Sequence, residues 1–389
     1  MHDSAPLHLV KKAHQSQYGN TPTVIAYAPG RIEILGNHTD YNAGTTLSTA
    51  INHGIFFALS PRSEKGVRVT AADIDQTIEF DPTTEERLSA DIQWGNYVKG
   101  VFHLLRPCGI QVDQVDCTFA GSIPMGAGLS SSAALEISTA FALIEYANHP
   151  LDLIEVAKVA QAAEQQFAGC HCGLLDQFSS LFGIPSGLIY ADFKSLTVDT
   201  VALPSDARFI MMNPHIQHAL ASSPYNARRE SCEKAAFQLN QLLEHEVQTL
   251  RDVSWEEFTT HREAIDSEAA QRAEHVIAEM KRVSQGIEAL AHSDLAGFGQ
   301  LLYDSHETSR TAFENSCLAL DQIVEAAREV GALGARLSGG GWGGSVVVLT
   351  QAAEAETLCE KLITACKRKG VSPTAEITVP SAGAHIIHP

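Results

Sequence analysis

The chain has 389 residues, 44% hydrophobic and 19% charged, with a formal net charge of −19. That length and balance exclude a fibrous or disordered protein and point to a globular chain of two domains. The acidic surface excludes a broad electrostatic hold on nucleic acid, whose sequence-independent part comes from Lys and Arg; an anionic small ligand stays open wherever backbone N–H groups, a helix N-terminus or a metal supply local positive potential.

No window holds 18 consecutive apolar residues, and the opening M-H-D-S-A-P-L-H-L-V-K-K lacks the basic-then-apolar order of a signal peptide. A cytoplasmic protein with no membrane partner is therefore expected. The eight cysteines are scattered along the chain, which reads as free thiols and not as a disulfide framework.

In chain order, residues 24–28 and 46–59 read as strands flanking G-R-I-E-I-L-G-N-H-T-D-Y-N, which crowds Arg31, Asn37, His38 and Asp40 into a short run. Residues 111–120 partly alternate like a half-buried strand. Residues 131–146 form an alanine-rich apolar helix, followed by a second over 151–167. Beyond about residue 205 the texture changes to long charged helical periodicity, over 226–245 and 262–292, with a further helix at 317–330. Residues 334–350 read strand, glycine loop, strand. A helix at 352–368 and a strand at 375–379 close the chain. These alternations place a boundary near 205–215, dividing the chain into 1–207 and 208–389.

Two glycine loops carry most of the chemical signal. In G-S-I-P-M-G-A-G-L-S-S-S-A-A-L-E, Gly126 and Gly128 permit positive φ, and Ser130, Ser131 and Ser132 sit where the first helical N–H groups lack partners. Such a loop suits a phosphate, and a hydroxyl at the helix start can ligate Mg²⁺. The plainer alternative is a serine-capped helix behind a flexible turn. No Walker A pattern occurs. The second loop, Gly339-Gly-Gly-Trp-Gly-Gly344, matches G-x-G-x-x-G in letters only, because the residues after it read as a strand where a dinucleotide site needs a helix. Five glycines in six positions exceed the needs of a hairpin, so this loop is expected to lie against a ligand or another backbone.

Two carboxylates stand apart from ordinary surface acids. Glu164 lies near a helix C-terminus and Asp176 follows a glycine-containing turn, among Leu174, Leu175 and Phe178. Such a pair can divide into metal ligand and general base. Cys170, His171 and Cys172 suggest zinc, but no second ligand pair has the required spacing.

Taken together, A-P-G-R-I-E-I-L-G-N-H-T-D-Y-N, W-G-N-Y-V-K-G, P-M-G-A-G-L-S-S-S-A-A-L-E, A-E-Q-Q-F-A-G-C-H-C-G-L-L-D-Q, L-A-S-S-P-Y-N-A-R-R and L-S-G-G-G-W-G-G resemble the GHMP small-molecule kinases, and within them the galactokinases. The resemblance runs from about Ala28 to Thr350. It implies an α+β fold of two domains, a ribosomal-S5-like N-terminal domain and a ferredoxin-like C-terminal one, with the active site in the cleft between them. It also implies transfer of the γ-phosphoryl of MgATP to the anomeric hydroxyl of a hexose; a monomer or weak homo-oligomer is expected. Asp176 matches the catalytic aspartate, and Arg31 the arginine that contacts it. Ser132 and Glu164 match the Mg²⁺ ligands. Asn37, His38, Asp40, Gly173 and Tyr225 match sugar-contacting positions. Gly126, Gly128, Leu129, Ser130, Ser131, Ser132 and Ala133, with Gly340 and Gly341, match the nucleotide site.

One departure bears on the sugar. Galactokinases usually carry N-x-x-G-E-H where this chain has Glu33-Ile-Leu-Gly-Asn37-His38, and the acid that the family places at 37 contacts the C6 hydroxyl. An amide there accepts from a hydroxyl through its oxygen and can welcome a C6 carboxylate through its N–H. Galactose leads, galacturonate is the runner-up, and Asn37→Glu is expected to tighten galactose. Ser48 also replaces a usual proline. A non-catalytic galactose and ATP sensor is the alternative of another class, set against the intact G-L-S-S-S-A-A run and Asp176.

Overall fold

The computed structural model describes residues 5–124, 126–216 and 224–387. Among the described residues, twelve strands form two sheets. The first takes β1 (Val24–Leu35), β2 (Thr45–Pro61), β3 (Gly66–Ala71), β4 (Gln76–Phe80), β5 (Gln114–Gly121), β6 (Gly187–Asp192) and β7 (Thr197–Ala202). The second holds β8 (Ala207–Asn213), β9 (Gly334–Ser338), β10 (Ser345–Gln351) and β11 (Thr374–Thr378), in the order β11-β8-β10-β9. A short last strand, β12 (His385–Ile386), crosses back and pairs with β1 at the edge of the first sheet. The first sheet runs β12-β1-β2-β5-β3-β4, with β6 and β7 branching from β2; only the β3–β5 pair is parallel. The fold is thus mixed α and β with an N-terminal and a C-terminal half.

Strand β1 shows why the first sheet is covered on both faces. Side chains alternate along a strand, and here Val24, Ala26 and Ala28 enter the main core while Ile25 and Tyr27 pack with Leu7 and Val10 of the helix Ala5–Tyr18. The main core does not stop at the boundary between the sheets. Leu35 and Leu47 from the first half join Phe209, Val283, Phe298 and Leu349 from the second in one apolar cluster. Gly286 marks a close approach: a Cβ there would stand 2.8 Å from Leu35 and 3.1 Å from Phe298.

Most expected elements recur with shifted ends. The helices Ser131–Ala147, Tyr225–Asn240, Ser267–Ala291, Leu318–Glu329 and Ala355–Arg368 stand where periodicity placed them. The main correction concerns the first motif. Strand β1 does not end at residue 28 but continues to Leu35, with register shifts at Pro29/Arg31 and Glu33/Leu35. Arg31 and Glu33 are therefore strand residues. The helix expected over 151–167 is Leu153–Ala163, and its continuation, Glu164–Ala168, winds as a π-helix. Among the described residues no helix is long and apolar enough to cross a membrane, and all eight cysteines are free.

Candidate active site

A cavity of about 620 Å³ opens between the two halves, and the paired side chains of Arg31 and Asp176 line it. Arg31 projects from β1, and Asp176 stands in the first turn of the helix Leu175–Leu181. The Arg31 Nε and Nη2 atoms lie 2.8 and 2.7 Å from Asp176 Oδ1. Arg31 Nη1 also donates to the Gly128 carbonyl at 2.7 Å, so the guanidinium joins the carboxylate to the first glycine loop. Asp176 Oδ2 accepts from the Ser130 hydroxyl. The arginine side chain is buried, while the aspartate keeps 27% of its surface open to the cavity.

That serine contact corrects the plainer reading of the loop. Ser130 occupies the N-cap of the helix Ser131–Ala147 in the left-handed region, at φ 59, and makes no side-chain cap bond. Its hydroxyl is turned to Asp176, so it leaves uncapped the start of a 17-residue helix whose Ser131 and Ser132 line the cavity. Helix starts in this state attract anions. The second glycine loop closes over the first. A Cβ on Gly128 would meet Gly344 Cα at 3.1 Å, and Ser345 Oγ donates to the Ala127 carbonyl at 2.7 Å. Strand β10 follows that loop, so the dinucleotide pattern is excluded by its context.

Glu164 opens the π-helix, beside the loop. Its Oε1 accepts from the Ser132 hydroxyl at 3.1 Å, and its Oε2 from Gln177 Nε2 at 3.2 Å. Burial, with the nearby Asp176 charge, pushes its pKa up to about 7 against the pull of these hydrogen bonds. Glu136 lies behind it, raised well above the ordinary carboxyl value by burial and by Glu164, and its Oε1 has no protein partner. A hydroxyl and a carboxylate oxygen side by side suit Mg²⁺, which takes one or two protein oxygens and completes its shell with water and phosphate. Among the described residues no cluster of three or more His, Cys, Asp or Glu side chains is placed to hold a metal ion.

The other end of the cavity is polar and tightly cross-linked. Asp40 Oδ2 accepts from the Leu175 N–H at 3.3 Å, and burial brings its pKa up to about 6. Gly173 is required here, because a Cβ would sit 1.9 Å from Asp40 Oδ2. His38, at φ 60, is held at both nitrogens: Nε2 donates to the Gly340 carbonyl at 2.9 Å, so Nδ1 accepts from the Tyr41 hydroxyl at 2.8 Å. Burial lowers its pKa to about 3, keeping it neutral. The Tyr225 ring lies 5.0 Å from it. Asn37 is 1% exposed; its Nδ2 donates to Glu33 Oε2 at 3.2 Å and to the Gly339 carbonyl at 2.9 Å, while its Oδ1 accepts from Asn315 at 2.9 Å. Glu33 in turn accepts from the buried Arg336 at 3.2 Å. Burial raises its pKa, opposed by Arg336, Arg31 and Asn37.

The GHMP kinases N terminal domain matches residues 96–184, the GHMP kinases C terminal domain 287–368, and the galactokinase galactose-binding signature 12–61. A galactokinase of Pasteurella multocida (strain Pm70) is 36% identical over 364 residues, covering 91% of this chain and 92% of its own. One from Roseiflexus sp. (strain RS-1) is 37% identical, covering 90% and 88%. The chain belongs to the galactokinase family of GHMP kinases. The crystal structure of Lactococcus lactis galactokinase complexed with galactose superimposes with a TM-score of 0.91 at 29% identity, over 97% of this chain and 99% of that one. Methanococcus jannaschii mevalonate kinase shares the fold, with a TM-score of 0.64 at 17% identity over 92% and 98% of the two chains.

In this member of the galactokinase family, the residues singled out from sequence converge on one cavity: Arg31, Asn37, His38, Asp40, the loop from Gly126 to Ser132, Glu164, Gly173, Asp176, Tyr225, Gly340 and Gly341 all line it. Ala133 is wholly buried in the first helical turn and does not. Sequence reasoning did not single out Asn315, Arg336 and Glu279, which stand behind the polar wall. Glu279 Oε2 accepts from the backbone N–H groups of Gly36 and Asn37, both at 3.0 Å. Burial opposes its charge, yet Arg282 and Arg336 bring its pKa down to about 2. It reads in sequence as one acid among many on a charged helix. The apolar end, with Ile74, Trp94, Tyr97 and Phe119, was not assigned a role from sequence, because its parts come from three separate segments: a turn, a helix and a strand.

Proposed function

We propose that the chain transfers the γ-phosphoryl of ATP to the anomeric hydroxyl of galactose, giving galactose 1-phosphate and ADP. The observation that carries this reading is Asp176, held by Arg31 and Ser130 between an uncapped helix start on one side and a polar, hydroxyl-binding wall on the other. The triphosphate would lie on the N–H groups of the loop from Gly126 to Ser132, with the base toward Trp94 and Phe119. Mg²⁺, ligated by Ser132 and Glu164, would neutralise phosphate charge.

Phosphoryl transfer asks the protein mainly for positioning and charge compensation. Asp176 accepts the proton of the sugar hydroxyl as its oxygen bonds to phosphorus; Arg31 orients that carboxylate and faces the transferring group. Asp40 accepts from a ring hydroxyl, its carboxylate placed by the Leu175 N–H and by the space that Gly173 leaves. The test is ADP release with MgATP against galactose, galacturonate, N-acetylgalactosamine, glucose and arabinose, compared as kcat/KM. Preference for galactose supports the reading. Silence on every sugar, with galactose and ATP still bound, replaces it with a sensor.

A further inference from the structure

We propose that Glu33 is the carboxylate that reads the exocyclic carbon of the sugar, with Asn37 as its positioning partner, so that acid and amide have exchanged places relative to the usual family pattern. The inference rests on the sugar-kinase reading above and deepens it.

The hydrogen bonds of Asn37 decide the matter. Its amide orientation is set by two acceptors, Glu33 Oε2 and the Gly339 carbonyl, which both demand the nitrogen. Asn315 Nδ2 then takes the oxygen side. Both N–H groups are spent within the protein, and Asn37 has none left for a sugar carboxylate. Glu33 lines the same wall, its Oε1 receiving Arg336 and its Oε2 receiving Asn37. A carboxylate has about four lone-pair sites, so each Glu33 oxygen keeps one for a ligand hydroxyl.

The sequence departure fits this geometry. In N-x-x-G-E-H an amide stands at 33 and an acid at 37; here Glu33 and Asn37 reverse them. The hydrogen bond between the two positions then runs in the opposite sense. The exchange keeps one longer acid and one shorter amide at the wall, so side-chain volume is conserved as well as charge. A single change cannot do the same. Asn37→Glu sets two buried carboxylates against each other, and Glu33→Asn leaves two amides facing Arg336, whose remaining acid, Glu279, stands farther off at 4.0 Å. Galacturonate is accordingly disfavoured, since its carboxylate would meet Glu33.

The experiment is a double-mutant cycle: kcat/KM for galactose and galacturonate in the unaltered protein, Asn37→Glu, Glu33→Asn and the double exchange, with Glu33→Gln as a conservative control. Thermal unfolding and ADP binding are measured on each to set aside variants that fail to fold. Each single change is expected to lower kcat/KM for galactose by roughly 10–100-fold, mainly through KM, and the double exchange to restore most of it. Glu33→Gln is expected to narrow the gap between galactose and galacturonate. Additive losses in the double exchange, among variants that fold and bind ADP, would overturn the proposal; so would tighter galactose in Asn37→Glu alone. An unaltered protein inactive on galactose would instead strike the functional reading itself, so the two failures are distinct.

Discussion

Arg31 and Asp176, 145 positions apart in sequence, meet through two guanidinium nitrogens on a single carboxylate oxygen. The other oxygen is bonded to Ser130, so lone pairs remain for an incoming hydroxyl. Replacing Asp176 by Asn keeps the shape and removes the proton acceptor. The expected result is a fall in kcat of about 10²–10⁴ with ATP affinity retained, read by steady-state kinetics and calorimetry. Near-normal turnover would remove Asp176 from the reaction.

Ser130→Ala separates positioning from phosphate binding. Its hydroxyl serves Asp176 and caps nothing. Losing a hydrogen bond to a charged group, the variant is expected to show kcat lowered by roughly 10–100-fold with KM for ATP little changed. A rise in KM for ATP alone would assign the hydroxyl to the nucleotide.

Gly173→Ala tests the placement of Asp40. The added methyl meets Asp40 Oδ2 at 1.9 Å, and the neighbouring backbone is tied down by the Leu175 N–H, so the acid must move. KM for galactose should rise while KM for ATP stays, with unfolding destabilised by about 1–3 kcal/mol from overpacking. Unchanged sugar kinetics would place Asp40 outside the sugar site.

Glu164 supplies a pH signature. Its pKa is raised from 4.5 to about 7 in the folded protein. Between those values the folded chain holds a proton that the unfolded chain has lost, so this group's stabilising share, full below pH 4.5, disappears as pH rises through 7. Metal ligation needs the ionised form, so binding of MgADP at pH 6 without sugar should release about one proton, measured by calorimetry in buffers of different ionisation enthalpy. Glu164→Gln should abolish the release. Its absence from the unaltered protein would remove Glu164 as a ligand.

Local signals served the loops and helices best, because their causes are local. Gly126 and Gly128 needed positive φ, and the apolar run from Ala133 to Leu143 needed a helix. The helix Ala5–Tyr18 was not legible, since it is mostly polar and is held by tertiary contacts such as His14 with Ser60 and Thr118. Of the site, Arg31, Ser132, Glu164 and Asp176 lay within recognisable runs. Arg336, Glu279 and Asn315 did not: each reaches the wall through hydrogen bonds spanning more than two hundred positions. The partners of Asn37 were hidden in the same way. Its identity was readable, but the spending of its N–H groups on Glu33 and Gly339 depends on a strand and a loop brought together only by folding.

The backbone passes between the two halves once before β8 and returns after β11 to lay β12 beside β1. With two covalent crossings and an apolar core shared across the boundary, the halves cannot swing apart like jaws without exposing Leu35, Leu47 and Phe298 to water. Entry and exit of ligands therefore fall to the cavity mouth and its loops. A label on each half should report little change in separation as nucleotide comes and goes, and turnover should respond to substitutions in the glycine loops sooner than to stiffening of the boundary.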